Sequence, residues 1–279
     1  MFSLSANDRL RLILSVVFFS SGMTALTLQT VWNKILGQTI GTDHLSSTAI
    51  VSIFMLGLGL GSQIGAVLAR RTRNPMLWFA AFEAFVAIYG AATLILLRFI
   101  PEWSLTITGG TLGADALATD FILNLLVLIT PTVLMGASLP LVIQAVQKGM
   151  PAGTTVGYFY AINIFGAIFG CLLSGYLLIG TFGLTATCLI ATVINLTLAL
   201  TALLLGRQIG RADEPEAAMP TGKKYGLLSS LASDKTIAII SFVAGFVALG
   251  YQMVYFRVAV YFFSATSYVF PSVLASYLA

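Results

Sequence analysis

The chain has 279 residues, of which 58% are hydrophobic and 9% charged, with a mean hydropathy of +0.96 and a net charge of +4. A soluble domain carries about 25% charged residues, so most of this chain belongs in lipid, and a soluble enzyme or a nucleic-acid-binding domain is excluded. The apolar stretches run for about 20 residues without period-two alternation, which points to membrane helices and away from a β-barrel.

The first predicted span, residues 12–32, follows Arg9 and Arg11. A basic start before an apolar run also fits a signal peptide. This run is long, lacks a small-x-small cleavage site and continues into Gln29 and Asn33, so it reads as a retained helix. Span 2, residues 46–69, ends at Arg70, Arg71 and Arg73 and carries Gly57, Gly59, Gly61 and Gly65. Gly57, Gly61 and Gly65 lie four apart and make a small-residue stripe, the surface on which a neighbouring helix packs closely. The stripe is no phosphate loop, for it sits mid-span with no Lys-Ser/Thr and no preceding strand. Span 3, residues 76–97, lies between Pro75 and Arg98 and holds Glu83, the one carboxylate inside an apolar span. Glu83 sits about seven residues in, roughly 10 Å at 1.5 Å per residue. An ionisable group at that depth is costly and marks a functional candidate. It reads either as the protonated site of a proton-coupled carrier or as a carboxyl holding spans 3 and 2 together.

Residues 101–119 read as a loop, the longest on its side, with Glu102, Asp115 and nearby Asp120. Span 4, residues 121–146, contains Pro131 and Pro140, which free backbone carbonyls and kink a helix. Such kinks either line a cavity or shape the bundle. Span 5, residues 154–179, repeats the small-residue device at Gly166, Gly170 and Ser174, with Gly175 beside them and Tyr158, Tyr160 and Asn163 upstream. Span 6 covers residues 184–205, and residues 207–234 are a polar linker rich in Pro, Gly and charge. Span 7 covers residues 236–262, and span 8 begins at 267. The expected organisation is therefore a six-span bundle (1–206), a cytoplasmic linker (207–234) and spans 7 and the start of 8 (235–279). Basic residues follow spans 2, 4 and 6 and are scarce after spans 1, 3 and 5, which predicts a cytoplasmic N-terminus. Cys171 and Cys188 lie inside apolar spans and His44 is the single histidine. No disulfide, metal site or cofactor is expected.

The chain also repeats itself. FSSGMTALTLQTVWNK (19–34) and FVAGFVALGYQMVYFR (242–257) share Phe, Gly, Ala, Leu, Gln and Val at the constant offset that relates Gln29 to Gln252, with Trp32 matched to Tyr255 and Lys34 to Arg257. A repeat that starts after six spans is the pattern of a carrier built from two parallel halves. The expectation is one complete half plus the opening of the second, with Ala279 inside span 8. Gly22, Leu26 and Gln29 share one face of span 1. Gln29 and Gln252 fall at related positions near the repeat interface, where such carriers place their sites. Lys34 and Arg257 read as snorkelling to the headgroups.

GYFYAINIFGAIFGCLLSGYLLIGTFG in span 5, LITPTVLMGASLPL in span 4, FMLGLGLGS in span 2 and the QTVWNK/QMVYFR pair together resemble the bacterial fused major-facilitator/spermidine-synthase proteins. The resemblance covers essentially the whole chain. It implies an all-α, major-facilitator-like membrane domain of the bacterial inner membrane, which in many members precedes a cytosolic aminopropyltransferase-like domain. No strand, Gly-rich turn and acidic residue of such a domain occurs in the sequence, so catalysis is not expected within these residues. Family members often carry Glu where this chain has Gln29 and Gln252. The implied function is a carrier of polyamines or related small cations. Its cavity is expected between spans 1, 4, 5 and 7, with Glu83, Gln29, Asn163, Tyr160 and Gln252 as pathway candidates. The alternative is a non-catalytic accessory subunit packed by its glycine stripes against a larger membrane complex.

Overall fold

In lipid each backbone N–H and C=O must be satisfied within the protein, and every regular element among the described residues is helical. The computed structural model describes residues 6–40, 43–110, 113–146, 152–209, 234–263 and 268–279. The elements are α1 (Ala6–Ile40), α2 (Asp43–Arg71), α3 (Pro75–Thr108), α4 (Ala114–Val146), α5 (Ala152–Leu173), a π-helical turn (Ser174–Leu178), α6 (Ile179–Ile209), α7 (Asp234–Phe263) and α8 (Val269–Leu278). Most of the polar linker, residues 210–233, lies outside the described residues.

Six helical stretches are long and apolar enough to cross a bilayer, so this is a multi-span membrane protein. The fifth, Gly153–Gln208, is 56 residues long. Drawn straight it would reach about 84 Å, against roughly 30 Å of hydrocarbon. It folds back at Gly183, whose φ of 78° and ψ of 175° break the helix in a region that glycine adopts freely. It therefore holds the fifth and sixth predicted spans.

Side-chain contacts fix the helix directions. Ser21 meets Glu83, Leu28 meets Gly90 and Trp32 meets Thr93, so α1 and α3 run parallel. Asn163 bonds to Phe18 and Thr27 reaches Gly170, so α5 is parallel to α1. Cys188 donates to the Gly90 carbonyl, Thr192 to that of Ala87, and Asn74 to that of Gly206, so α6 is antiparallel to α3. The core is threaded along α1. Leu14 and Phe18 pack with Phe79 and Phe159 at one end, and Leu28, Trp32 and Leu36 pack with Ile53 and Phe54 towards the other.

Glycines make the two tightest seams. On α2, a Cβ at Gly57 would strike the Thr132 side chain, one at Gly61 the Val133 carbonyl and one at Gly65 the Ala137 backbone of α4. On α5, Gly166 and Gly170 lie directly on the Phe19 and Met23 carbonyls of α1. Without Cβ atoms the backbones approach closely enough for dispersion contacts to hold them, the main attraction left between helices in lipid.

The structure corrects one predicted boundary. The segment expected as a loop from 101 is helical, since α3 continues through Pro101 to Thr108 and α4 begins at Ala114. Thr106 and Thr108 bond back to the Glu102 and Ser104 carbonyls, and Gly109, left-handed at φ 62°, ends the helix. Pro101 removes one backbone donor without stopping the helix. The connecting turn is short, and α3 carries Glu102 beyond its apolar section.

Pro131 has a specific compensation. A proline at 131 cannot bond the Val127 carbonyl one turn back. The Tyr89 hydroxyl of α3 donates to that carbonyl at 3.1 Å. The free acceptor made by the proline thus becomes a tie between α3 and α4.

Candidate functional site

Two buried polar groupings interrupt the apolar interior. The first joins α1, α3 and α6. Glu83 is 4% exposed, and its Oε1 accepts a hydrogen bond from the Ser21 hydroxyl at 2.6 Å. The partner of the carboxyl is therefore span 1, not span 2 or its arginines. The parallel register of α1 and α3 decides this, because Ser21 opposes Glu83 just as Leu28 opposes Gly90. One turn along α1, the Thr24 hydroxyl meets Asn195 Oδ1 of α6. Asn195 is buried, and its Nδ2 has no partner. The α3–α6 register puts Asn195 level with Glu83, because Gly90 pairs with Cys188 and Ala87 with Thr192.

The second grouping lies further along α1. Gln29 is 0% exposed, and neither atom of its amide has a partner. One turn on, Asn33 Oδ1 accepts from the Ser47 hydroxyl of α2 at 3.0 Å. Ser47 and Val51 form one wall of a small hollow whose other walls are Gln252 and Phe256 of α7 and Phe270 and Val273 of α8. Gln252 is buried, with its Oε1 unpartnered. The Phe256 and Phe270 rings meet edge to face with centroids 6.0 Å apart. The space beside Gln252 is thus walled by α2, α7 and α8, so that of spans 1, 4, 5 and 7, expected to line a cavity, only span 7 lines this one. The short contact of α7 with α2, and of α8 with the π-helical turn through Gly175 and Pro271, sets this arrangement. Buried polar atoms ordinarily have partners, so an acceptor left open in a hollow is a place for a donor to bind.

The other predicted residues divide between these groupings and the surface. Asn163 joins neither grouping. Its Nδ2 donates to the Phe18 carbonyl at 3.0 Å, and its backbone lies against Gly22. Tyr160 is 55% exposed on the outer face of α5, apart from Glu83 and Gln29. Arg70, Arg71 and Arg73 are exposed at the end of α2, with the Arg70 guanidinium bonded to the Ala66 carbonyl. Among the described residues no three His, Cys, Asp or Glu side chains gather as metal ligands. Sequence reasoning passed over Ser21, Thr24 and Asn195. Asn195 carried the readable signal, a carboxamide in the middle of the apolar run TVINLTLAL. Ser and Thr bond locally in any helix, so Ser21 and Thr24 gave no distinct signal.

Two characterised proteins are similar to this chain. One is polyamine aminopropyltransferase 1 of Streptomyces coelicolor, 23% identical over 205 residues, which cover 72% of this chain and 36% of the relative. The other is a polyamine aminopropyltransferase of Oceanobacillus iheyensis, 26% identical over 209 residues, which cover 72% of this chain and 38% of the relative. The chain thus spans a little over a third of the length of these relatives. No family model matches it. No solved structure matches it either.

Proposed function

We propose that this chain is the membrane domain of a major-facilitator-like carrier of the fused spermidine-synthase type, and that it handles polyamines or related small cations. The similarity to two polyamine aminopropyltransferases carries the reading. It extends over 72% of the chain, and the apolar helices take up so much of the chain that such a stretch must include several of them. What is shared is then membrane sequence. Any aminopropyl transfer belongs to a part of such proteins other than these helices, and the domain serves that chemistry by moving or binding its substrate or product in a bacterial inner membrane.

The hollow beside Gln252 is water-sized as packed, so an alkylammonium head enters it only when α7 and α8 draw back from α2. The open Gln252 amide oxygen accepts N–H, and Phe256 and Phe270 line the same hollow with aromatic surface. Gln29 and Gln252, at repeat-related positions, are then the paired contacts of two halves. Uptake of labelled spermidine into proteoliposomes tests the reading. Saturable uptake that is lost in Gln252→Leu supports it. Folded protein that moves no polyamine removes it.

A second reading rests on α7. Its apolar side chains stand largely uncovered, with Phe242 and Phe246 both exposed, and an accessory subunit would bury such a face on a larger complex. Co-purification at fixed stoichiometry from native membranes would favour that reading, and a free monomer would count against it.

A further inference from the structure

α8 has two faces with different partners. Phe270, Val273 and Leu274 wall the hollow beside Gln252. Pro271 and Ser272, with Tyr268 at the cap of the same helix, lie on the end of α5 and on the π-helical turn. A Cβ at Gly175 would strike Pro271 Cγ, so the proline ring fills the place of the missing side chain. The Cys171 thiol donates to the Pro271 carbonyl at 3.6 Å. The Tyr176 and Ser272 hydroxyls bond at 2.6 Å, and the Tyr176 and Tyr268 rings stack with centroids 5.0 Å apart. The helix that closes the hollow is thus held from behind by one short stretch, Cys171 to Tyr176.

The winding of that stretch aims it at α8. The Ile179 N–H bonds to the Ser174 carbonyl, five residues back and not four. A π turn takes in one more residue than an α turn, so each of its residues is rotated less about the axis. An unbroken α-helix would set Tyr176 about 140° around from Cys171. The π turn brings it back towards the face that Cys171 and Gly175 present to α8. Single π turns are rare and concentrate at functional sites. The polar contacts here are individually weak. A thiol is a weak donor, and the Tyr176–Ser272 bond is exposed, where other partners can replace it. The specific element is the seat of Pro271 on Gly175.

The hollow is water-sized as packed, so anything larger enters only if a wall moves. The α2 wall is pinned to α4 by Gly57, Gly61 and Gly65. The wall held by replaceable contacts is α8. We propose that the π-helical turn is the latch of the hollow: Cys171, Gly175 and Tyr176 hold α8 across it, and release of α8 opens the space beside Gln252 to a ligand. Two packings of α8 are then in balance, and a ligand that fits only the opened hollow favours the released one. The identity of that ligand rests on the polyamine reading above, whereas the latch does not.

Thiol labelling of the protein in nanodiscs, without polyamine, is the test, with a membrane-permeant maleimide and each site read by mass spectrometry. Cys171 lies under Pro271 and reports the release of α8. Cys188, bonded to the Gly90 carbonyl at 3.4 Å between α6 and α3, is the internal control. The thiol of Val51→Cys, on the α2 wall, reports entry into the hollow. Gly175→Ala drives Pro271 off its seat and should speed Cys171 labelling roughly tenfold or more. Tyr176→Phe keeps the ring and loses one exposed hydroxyl, so it folds, and should speed labelling about two- to fivefold. The Val51→Cys thiol should follow Cys171 in both backgrounds, and Cys188 in neither. Cys171 unmoved in both variants would overturn the proposal. An equal rise at Cys188 would also overturn it, because the whole bundle would then be loosening. So would a Val51→Cys thiol that stays protected while Cys171 reacts, because α8 would then leave without opening the hollow. The uptake assay is separate: a failed latch leaves the cargo to be decided there, and failed uptake leaves the latch standing.

Discussion

α1 and α7 share Phe, Gly, Ala, Leu, Gln and Val at one constant offset, yet they live in different surroundings. In its most apolar stretch α1 is 61% buried, whereas α7 is 11% buried. Gly22 lies against the Asn163 backbone, whereas a Cβ added at its counterpart Gly245 would meet nothing within 4 Å. Trp32 is enclosed and donates to Thr93 Oγ1 at 2.7 Å, while Tyr255 is 56% exposed. The shared residues therefore do not fix burial. α1 has α2, α3, α5 and α6 around it, and α7 touches mainly α8. The exception is the glutamine. Gln29 and Gln252 are both buried and both carry unpartnered amide atoms, so the glutamine keeps its setting where the shared phenylalanine, glycine and valine do not.

That contrast can be broken by paired substitutions, read as unfolding free energies in a mild detergent. The largest difference is expected for the aromatic pair. Trp32→Ala leaves a cavity and removes the donor to Thr93 Oγ1, which keeps its own bond to the Gly90 carbonyl, at a cost of about 3–5 kcal/mol, and Tyr255→Ala should stay within about 0.5 kcal/mol. Equal costs would show that α7 is covered as α1 is. The glycine pair comes next. Gly22→Val forces α1 away from α5 and should cost about 1–3 kcal/mol, and Gly245→Val should be nearly neutral.

The sequence carried the coarse fold because burial in lipid demands long apolar runs bounded by charge, as Arg70, Arg71 and Arg73 bound α2. It misplaced the end of α3 because Pro101 looks like a stop, whereas a helix leaving the apolar layer tolerates a missing N–H. Glu83 stood out as a lone carboxylate. Its partner did not, because Ser21 is reached through the α1–α3 register, which no single span encodes. The tie from Tyr89 to the carbonyl freed by Pro131 was hidden for the same reason. Gln29 and Gln252 were legible as a recurring polar residue, but the enclosure of Gln252 by α8 was not, since it depends on how α7 and α8 dock on α2 and α5.

Smaller effects sharpen the comparison within the bundle. Tyr89→Phe leaves the Val127 carbonyl without its donor and should cost about 1 kcal/mol. A cost near zero would mean that the α4 backbone satisfies itself around Pro131. Gln29→Leu should move the other way and gain up to about 1 kcal/mol, because it replaces a buried unpartnered amide with an apolar side chain. A loss of stability would show that Gln29 is bonded in the folded protein and is not held open.

The most direct measurement is the thermal stabilisation of the purified protein by spermidine, compared between the natural chain and Gln252→Leu. A ligand that binds only the folded state raises its stability in proportion to the logarithm of saturation, about 2.7 kcal/mol at a hundred times the dissociation constant. The account expects an upward shift in the natural chain that keeps rising with the logarithm of spermidine concentration, and its loss in Gln252→Leu, even though the variant is at least as stable without ligand. An equal shift in both proteins, or none in either, would contradict a role for the buried glutamines in binding a polyamine.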